Sequence, residues 1–463
     1  MTNGNSCFLV GIGGSGMMPL AMILRARGQT VAGSDRGLDQ GRVAAKFDAL
    51  RNAGIALHPQ DGSGVTSADQ LVIASAAVEE TVPDIVAANR LGCPRATRAQ
   101  MLASLFNDST LPIGVAGTSG KSTVTGMIAF ILQQTGRDPT AMNGAVMKDF
   151  VSPDSPFASA LVGGGEAFVS EVDESDGSIA LYNPAIAVLN NVSLDHKSLE
   201  ELRVLFGGFA ARASHVVANA GDAETAALLA DIPNLTSFAV EGAGDLVAEA
   251  LKPEPFAIGF DLITGGAGYH VRLSVPGRHN VSNALAAIGA SVAAGVPLID
   301  AIRAVERFTG LKRRFEKVGE ARGVTVIDDF GHNPDKIAAT LDTLHAFPSR
   351  LLILFQPHGY GPLKVMRREL VESIAARMKS GDVLAMPDPA YFGGTVAREV
   401  TSADIVADLC AAGVDARHIA DRAEAAAMLV AEARGGDRIV VMGARDDTLS
   451  LLAQDMVESL AAT

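Results

Sequence analysis

Short apolar runs alternate with polar turns and longer helical stretches along the whole chain. Near the N-terminus, the runs Cys7–Val10, Thr30–Ala32 and Gln70–Ala74 have the length of buried strands, and a helical stretch separates the first two. Strands that alternate with helices pair in parallel, because each crossover returns the chain to the same end of the sheet. The pattern predicts a doubly wound, Rossmann-like α/β domain over residues 1–108.

The same alternation continues to the C-terminus. The runs Ile113–Ala116, Ala167–Ser170 and Ala185–Leu189 predict a parallel, P-loop ATPase-like sheet in a central domain over residues 109–317. A second Rossmann-like domain is predicted over residues 318–463 from the runs Val324–Ile327, Arg350–Phe355, Val383–Ala385 and Arg438–Met442. The expected fold class is therefore α/β with three domains.

Composition narrows the classes of function. The chain has 463 residues, of which 48% are hydrophobic, and this is enough for several buried cores. A formal net charge of -14 argues against sequence-independent binding of nucleic acid, which needs a basic surface. The three cysteines lie far apart and form no metal or redox spacing. The N-terminal apolar run ends at Gly11, so we expect neither a signal peptide nor a membrane span, and we expect a cytoplasmic protein.

The first strand ends in a glycine-rich turn that contains Gly11, Gly13, Gly14, Ser15 and Gly16. With Asp35 about 20 residues further on, it fits a dinucleotide fingerprint, so an NAD-dependent oxidoreductase is one interpretation. Any diphosphate can bind such a turn, because backbone N–H groups and a helix N-terminus attract anions. We therefore expect a ligand that contains a diphosphate.

A second glycine loop follows the strand that ends at Ala116, and a long apolar helix comes after it. Lysine in such a loop reaches terminal phosphates, and the following hydroxyl holds Mg²⁺. The loop is shorter than the usual P-loop, because Val115 stands where the first glycine is expected. We predict ATP phosphate binding by Gly117, Thr118, Ser119, Gly120, Lys121, Ser122 and Thr123.

Acidic and polar residues follow the next two strands of the central sheet. Glu171 begins an acidic segment, and His196 lies beyond the strand that ends at Leu189. Because parallel strands end at the same edge of a sheet, both side chains are expected near the γ-phosphate as ligands for Mg²⁺. Asn280 and Asn283 share one face of a later helix, where they either cap it or grip a nucleotide base or ribose.

These motifs resemble, in order and over nearly the whole chain, those of the Mur ligases, which are ATP-dependent enzymes of peptidoglycan synthesis. The matching segments are G-x-G-G-S-G at 11–16, G-T-x-G-K-S at 117–122, E-x-D-E-S-D at 171–176, D-H at 195–196, G-R-H-N-x-x-N at 277–283, R-R-F at 313–315 and D-D-F-G-H at 328–332. One such motif is weak evidence, whereas seven in sequence are strong.

The resemblance implies an ATP- and Mg²⁺-dependent ligase that joins the carboxylate of UDP-N-acetylmuramate to the amine of L-alanine. It implies that the N-terminal domain holds UDP rather than NAD, with Asp35 and Ser75 near the UDP sugar. Lys121, Glu171 and His196 are then catalytic, and Ser122, Glu171 and His196 bind metal. Nucleotide contacts are implied for Asn280, Asn283, Arg314 and Asp329, and substrate contacts for His332 and His358.

The chain departs from the family pattern at three positions. Ser119 stands in place of a histidine of the glycine loop, Asn333 in place of a second histidine, and Gly359 in place of an arginine. Two alternatives follow from these departures and from the stretch Ile186–Asn191. One is a ligase that adds the recycled murein tripeptide L-alanyl-γ-D-glutamyl-meso-diaminopimelate, and the other is a non-catalytic nucleotide-binding regulator.

Overall fold

The computed structural model describes residues 6–76, 78–193, 197–229, 232–390, 398–444 and 446–462. It contains three α/β sheets, of five, ten and six strands, as the hydrophobic pattern predicted. The chain forms two compact units, one of residues 1–252 and 258–311, the other of residues 253–257 and 312–463. Over the described residues, every helix is too short or too polar to cross a membrane.

The first sheet is parallel and has the strand order β3-β2-β1-β4-β5. The order reverses beside β1, and this is where doubly wound sheets open a binding crevice. Gly33 permits the close approach of β1 and β2, because a Cβ there would lie 2.5 Å from the Leu9 carbonyl oxygen. The elements are β1 (Ser6–Val10), α1 (Met17–Ala26), β2 (Thr30–Ser34), α2 (Arg36–Asp39), α3 (Ala44–Asn52), β3 (Ala56–His58), β4 (Leu71–Ala74), α4 (Pro83–Leu91), β5 (Arg95–Thr97) and α5 (Arg98–Asn107).

The second sheet has the order β15-β14-β13-β12-β11-β10-β6-β9-β7-β8. Its centre is parallel, and β6, between β10 and β9, is fully apolar over Ile113–Ala116. The elements are β6 (Leu111–Ala116), α6 (Lys121–Gln134), β7 (Thr140–Met142), β8 (Ala160–Leu161), β9 (Ala167–Glu171), β10 (Ile186–Leu189), α7 (Leu199–Ala211), β11 (His215–Asn219), α8 (Ala223–Ala226), β12 (Leu235–Val240), β13 (Leu246–Glu254), β14 (Ala257–Thr264), β15 (Ala267–Leu273), α9 (Arg278–Ala293) and α10 (Leu298–Val305).

The third sheet has the order β16-β17-β21-β18-β19-β20, and only its edge pair β16–β17 is antiparallel. Buried clusters line both faces, with Ile353 on one side and Leu354 on the other. The elements are β16 (Glu316–Ala321), β17 (Val324–Asp329), α11 (Pro334–His345), β18 (Leu351–Gln356), α12 (Tyr360–Ala375), β19 (Val383–Met386), α13 (Ser402–Ala411), β20 (Ala416–His418), α14 (Arg422–Glu432), β21 (Arg438–Gly443) and α15 (Thr448–Ala462).

Several strands run further than the apolar runs indicated. Strand β2 continues to Ser34, whose hydroxyl donates to the buried Asp84 carboxylate at 2.6 Å, and β17 continues through Asp328 and Asp329. Hydrogen bonds satisfy these buried polar ends, so polarity alone marks the end of a strand too early. The segments that carry the predicted site residues nevertheless lie at the carboxyl ends of parallel strands, among them β1, β4, β6, β9, β17 and β18.

Candidate active site

The first glycine turn is fastened to the end of β2. The N–H groups of Gly11 and Ile12 both donate to the Ser34 carbonyl, at 2.8 and 2.9 Å. The Gly13 N–H donates to the Asp35 carboxylate at 2.8 Å, and Asp35 also caps α2 by accepting from the Gly37 N–H at 2.7 Å. Asp35 therefore lies beside the turn and accepts the hydrogen bond of the Gly13 amide, while its contact with a UDP sugar stays a prediction.

The exposed part of this turn is its second half. Gly14 and Ser15 are exposed, and α1 begins after Gly16 without a side-chain cap. An uncapped helix start presents N–H groups and the positive end of the helix dipole to an anion. Ser75 directly follows β4, the neighbour of β1, and is half-buried at the same edge of the sheet.

Two cations flank the turn, and motif analysis missed both. Lys46, on α3, donates from Nζ to the Gly13 carbonyl at 3.0 Å. Arg98, the first residue of α5, packs against Gly16 at the other end of the turn. They lie 33 and 82 residues away in sequence from Gly13 and Gly16 respectively, so no local pattern links them to the turn.

The second glycine loop is clamped by the end of β10. Asn191 accepts from the Ser119 N–H at 2.8 Å and donates to the Ser119 carbonyl at 3.0 Å, and the Asn190 side chain donates to the same carbonyl at 2.9 Å. The Thr118 hydroxyl donates to the Asn191 side-chain oxygen at 3.1 Å. The position that departs from the family pattern, Ser119, is thus held through its backbone.

Asn280 and Asn283 extend this clamp. Asn283 donates to Asn280 and accepts from Asn190, each at 3.0 Å, and Asn280 donates to the Pro276 carbonyl at 2.7 Å. A Cβ on Gly120, whose φ is +85°, would lie 2.3 Å from the Asn190 amide nitrogen and 2.4 Å from the Asn283 oxygen. Both asparagines are buried, and neither caps α9, so their contact with a nucleotide stays a prediction.

Lys121 is already paired within the loop region. Its Nζ donates to the Gly117 carbonyl at 2.6 Å and to the Glu174 carboxylate at 2.8 Å, and the Glu174 side chain is only 6% exposed. Burial alone would raise the pKa of the neighbouring Asp173, but the Ser175 N–H and the positive charges of Lys121 and Arg98 together lower it. Asp173 is therefore held ionised beside the loop lysine.

Ser122 and Glu171 form a pair of oxygen ligands beside the loop. The Ser122 hydroxyl donates to Glu171 at 3.1 Å, and the Gly144 N–H bonds to the other oxygen of that carboxylate. Hydroxyl and carboxylate oxygens suit Mg²⁺, which takes one or two protein ligands together with phosphates and water. The described residues contain no cluster of three or more His, Cys, Asp or Glu ligands. The third predicted ligand, His196, lies outside the described residues.

In the C-terminal unit, Asp328 and Asp329 tie β17 to residues that precede β16. Arg313, buried and in a left-handed conformation, forms an ion pair with Asp328 at 3.3 Å, and burial raises the pKa of Asp328 to about 6. Asp329 accepts from the N–H groups of Phe315 and Gly331, both at 2.8 Å. Asp329 therefore fixes the backbone here, while its contact with a nucleotide stays a prediction.

A stack of rings and cations links the remaining predicted residues. The Arg314 guanidinium lies 4.4 Å from the Phe330 ring centroid, Phe330 contacts His332 edge to face, and His332 contacts His358 in the same way. Burial lowers the pKa of His332 to about 3, and its Nδ1 donates to the Phe330 carbonyl at 2.8 Å. The ring is therefore neutral at pH 7, with the lone pair on Nε2.

The departures at Asn333 and Gly359 have local structural roles. Asn333 caps α11, because its side-chain oxygen accepts from the Lys336 N–H at 3.0 Å. Gly359 precedes α12 with a φ of +144°, in the region that favours glycine.

Comparisons with known proteins agree with the order of the motifs. Three family descriptions match: Mur ligase family, catalytic domain, at residues 8–110; Mur ligase middle domain at 115–291; and Mur ligase, glutamate ligase domain, at 313–445. A UDP-N-acetylmuramate–L-alanine ligase of Streptomyces coelicolor is 35% identical over 457 residues, covering 95% of this chain and 94% of that protein.

Two solved structures show the same fold. The UDP-N-acetylmuramate–alanine ligase of Thermotoga maritima has a TM-score of 0.81 at 24% identity, over 99% of both chains. A murein peptide ligase of Psychrobacter arcticus has a TM-score of 0.71, also at 24% identity and over 99% of both chains.

Proposed function

This chain belongs to the Mur ligase family, and we propose that it is an ADP-forming ligase that couples ATP cleavage to amide formation between UDP-N-acetylmuramate and L-alanine. One observation carries the proposal: a single compact unit holds two glycine turns, and only the second contains a lysine beside a Ser–Glu oxygen pair. The first suits a diphosphate that is bound and not cleaved, and the second suits a triphosphate that reacts. Curated relatives with the alanine-adding activity match over nearly their whole length.

In the proposed reaction, the muramate carboxylate oxygen attacks the γ-phosphorus of ATP in line, and ADP leaves with the electrons of the broken P–O bond. The protein contributes position and charge in this step, since phosphoryl transfer needs little covalent help. Lys121 moves from Glu174 to the phosphates, and the N-terminus of α6 attracts them. Ser122 and Glu171 would hold Mg²⁺, which neutralises phosphate charge when bound.

The first step leaves an acyl phosphate on the muramate carboxyl group. The alanine amine then attacks the carbonyl carbon of this acyl phosphate, and the tetrahedral intermediate expels inorganic phosphate. The amine must lose a proton. We assign amino-acid contacts to His332 and His358, and the neutral His332 has an acceptor at Nε2. Asn280, Asn283, Arg314 and Asp329 are assigned to the nucleotide. The substrates are those of peptidoglycan precursor synthesis, which belongs to the cytoplasm, and no nucleic-acid or membrane partner is part of the proposal.

The test is ADP release with UDP-N-acetylmuramate and a panel of amines: L-alanine, glycine, L-serine and the murein tripeptide. We expect release with L-alanine and a product heavier by one alanyl residue in mass spectrometry. Release with the tripeptide alone would assign the chain to murein recycling instead. ATP binding without ADP release for any amine would indicate a regulator, and fluorescence of bound NADH would indicate an oxidoreductase.

A further inference from the structure

Arg98 contacts the first glycine turn and approaches the acidic segment that pairs with the second glycine loop. A Cβ built on Gly16 would be 3.1 Å from both Cδ and Nη1 of Arg98, so the guanidinium lies directly against the exposed half of the first turn. On its other side, Nη2 lies 4.0 Å from the Asp176 carboxylate. Asp176 belongs to the acidic segment whose Glu174 pairs with Lys121 of the second loop. Contacts therefore lead from Gly16 through Arg98 to the acidic segment and on to Lys121 of the second loop.

The guanidinium has unused donors. Its side chain is 24% exposed, and among the described residues it makes no hydrogen bond and only the long ion pair with Asp176. An arginine carries five N–H donors in a planar fork that matches phosphate oxygens. A capping box between Thr97 and Gln100 fixes the start of α5, so the base of the side chain is held in place.

The surroundings explain why a cation is needed here. Asp35 lies at one side of the turn, and Asp173, Glu174 and Asp176 lie beyond Arg98. A diphosphate placed on this turn would face carboxylates on two sides, and its repulsion from them would oppose binding. Lys46 is already bonded to the Gly13 carbonyl, whereas Arg98 lies against Gly16.

We propose that Arg98 binds the distal phosphate of the diphosphate on the first glycine turn, the phosphate that carries the sugar. This inference rests on the proposed function, because it takes the ligand to be a UDP sugar. The placement follows from the geometry: Arg98 is on the side of the turn that leads to the second loop, where the sugar's carboxylate must react. The proximal phosphate is left to the amides of the turn.

The experiment compares Arg98→Gln, Arg98→Lys and wild type by calorimetry, with UMP, UDP and UDP-N-acetylmuramate as ligands. We expect Arg98→Gln to weaken UDP and UDP-N-acetylmuramate about tenfold to a hundredfold and UMP by less than about threefold, since UMP lacks the distal phosphate. Arg98→Lys should restore part of the loss. The matched control is Arg95→Gln, three residues earlier, whose guanidinium pairs with Glu80 on the surface.

Equal losses for UMP and UDP in Arg98→Gln would show a structural role and overturn the inference, as would unchanged UDP binding. Failure of wild type to bind UDP-N-acetylmuramate, with selective loss of UDP in Arg98→Gln, would overturn the proposed function and leave a nucleoside-diphosphate site at Arg98. The two failures are therefore distinguishable.

Discussion

The two glycine turns of the first unit have similar sequences but obtain their positive charge differently. The loop at 117–122 contains its own lysine, Lys121, which is paired with Glu174. The turn at 11–16 contains no cation, and Lys46 and Arg98 come to it from two separate helices. The glycines supply the backbone geometry in both cases, but only the second loop also encodes its charge locally.

The difference extends to rigidity. Asn190 and Asn283 fill the space behind Gly120, so that this position of the second loop has no room for a side chain. Gly16, the corresponding last residue of the first turn, faces the flexible end of Arg98. A site that catalyses phosphoryl transfer needs fixed geometry, whereas a site that only holds a diphosphate tolerates adjustment.

The largest effect is expected for Lys121→Ala, which removes the local cation. ADP release should fall about a thousandfold, because the charge on the transferred phosphoryl group loses its stabilisation. UDP-N-acetylmuramate affinity should stay within about twofold of wild type, because the first turn has its own cations. A coupled assay of ADP release and calorimetry measure the two quantities, with the exposed Lys252→Ala as the control. Near-normal turnover would contradict the proposed mechanism.

The next largest effect is expected for Gly120→Ala. The new Cβ would clash with two buried amides at a left-handed backbone position, so ATP affinity should fall about a hundredfold. Gly136→Ala is the matched control, since Gly136 follows the same helix with a φ of +74° and a Cβ added there would meet no atom within 4 Å. Similar ATP affinities in the two variants would contradict a role of the asparagine clamp in shaping the loop.

A smaller effect, on the pH dependence of stability, is expected in the C-terminal unit, where burial keeps the His332 side chain neutral. Its folded pKa of about 3 lies below the usual value, so the unfolded chain binds more protons and stability falls as pH drops below 6.5. His332→Asn keeps a donor for the Phe330 carbonyl but does not titrate. Between pH 7.5 and 5.5, the stability advantage of wild type over this variant should shrink by about 1.4 kcal/mol in urea titrations. A stability difference between wild type and His332→Asn that does not change with pH would contradict the lowered pKa of His332.

The smallest effect is expected for Gly16→Ala. The nearest atoms to the new Cβ would be Cδ, Nη1 and Cζ of Arg98, whose long side chain can adjust, so UDP affinity should fall by no more than about threefold. Calorimetry with UDP measures it, with Gly28→Ala as a control in open space. A loss as large as that for ATP in Gly120→Ala would remove the distinction between an adjustable and a rigid turn.

Sequence reasoning predicted the three α/β sheets and the glycine turns, because strand length and glycine spacing are local signals. It passed over β12 to β15, which carry no chemical motif and in which β13 and β14 hold their buried residues in runs at one end of the strand. It also missed Glu174, Asn190 and Arg98 as parts of the site, since their roles depend on contacts between distant segments. Asn280 and Asn283 were found by spacing, but their bonds to each other and to Asn190 required the structure.

The ion pair between Lys121 and Glu174 means that the second loop is electrically balanced before any nucleotide arrives. A small monovalent anion should bind such a loop weakly, because its single charge would have to replace the ion pair that Lys121 already forms with Glu174. A triphosphate carries several negative charges, and we expect it to replace Glu174 as the partner of Lys121. We therefore expect the resting loop to bind chloride and other small anions weakly.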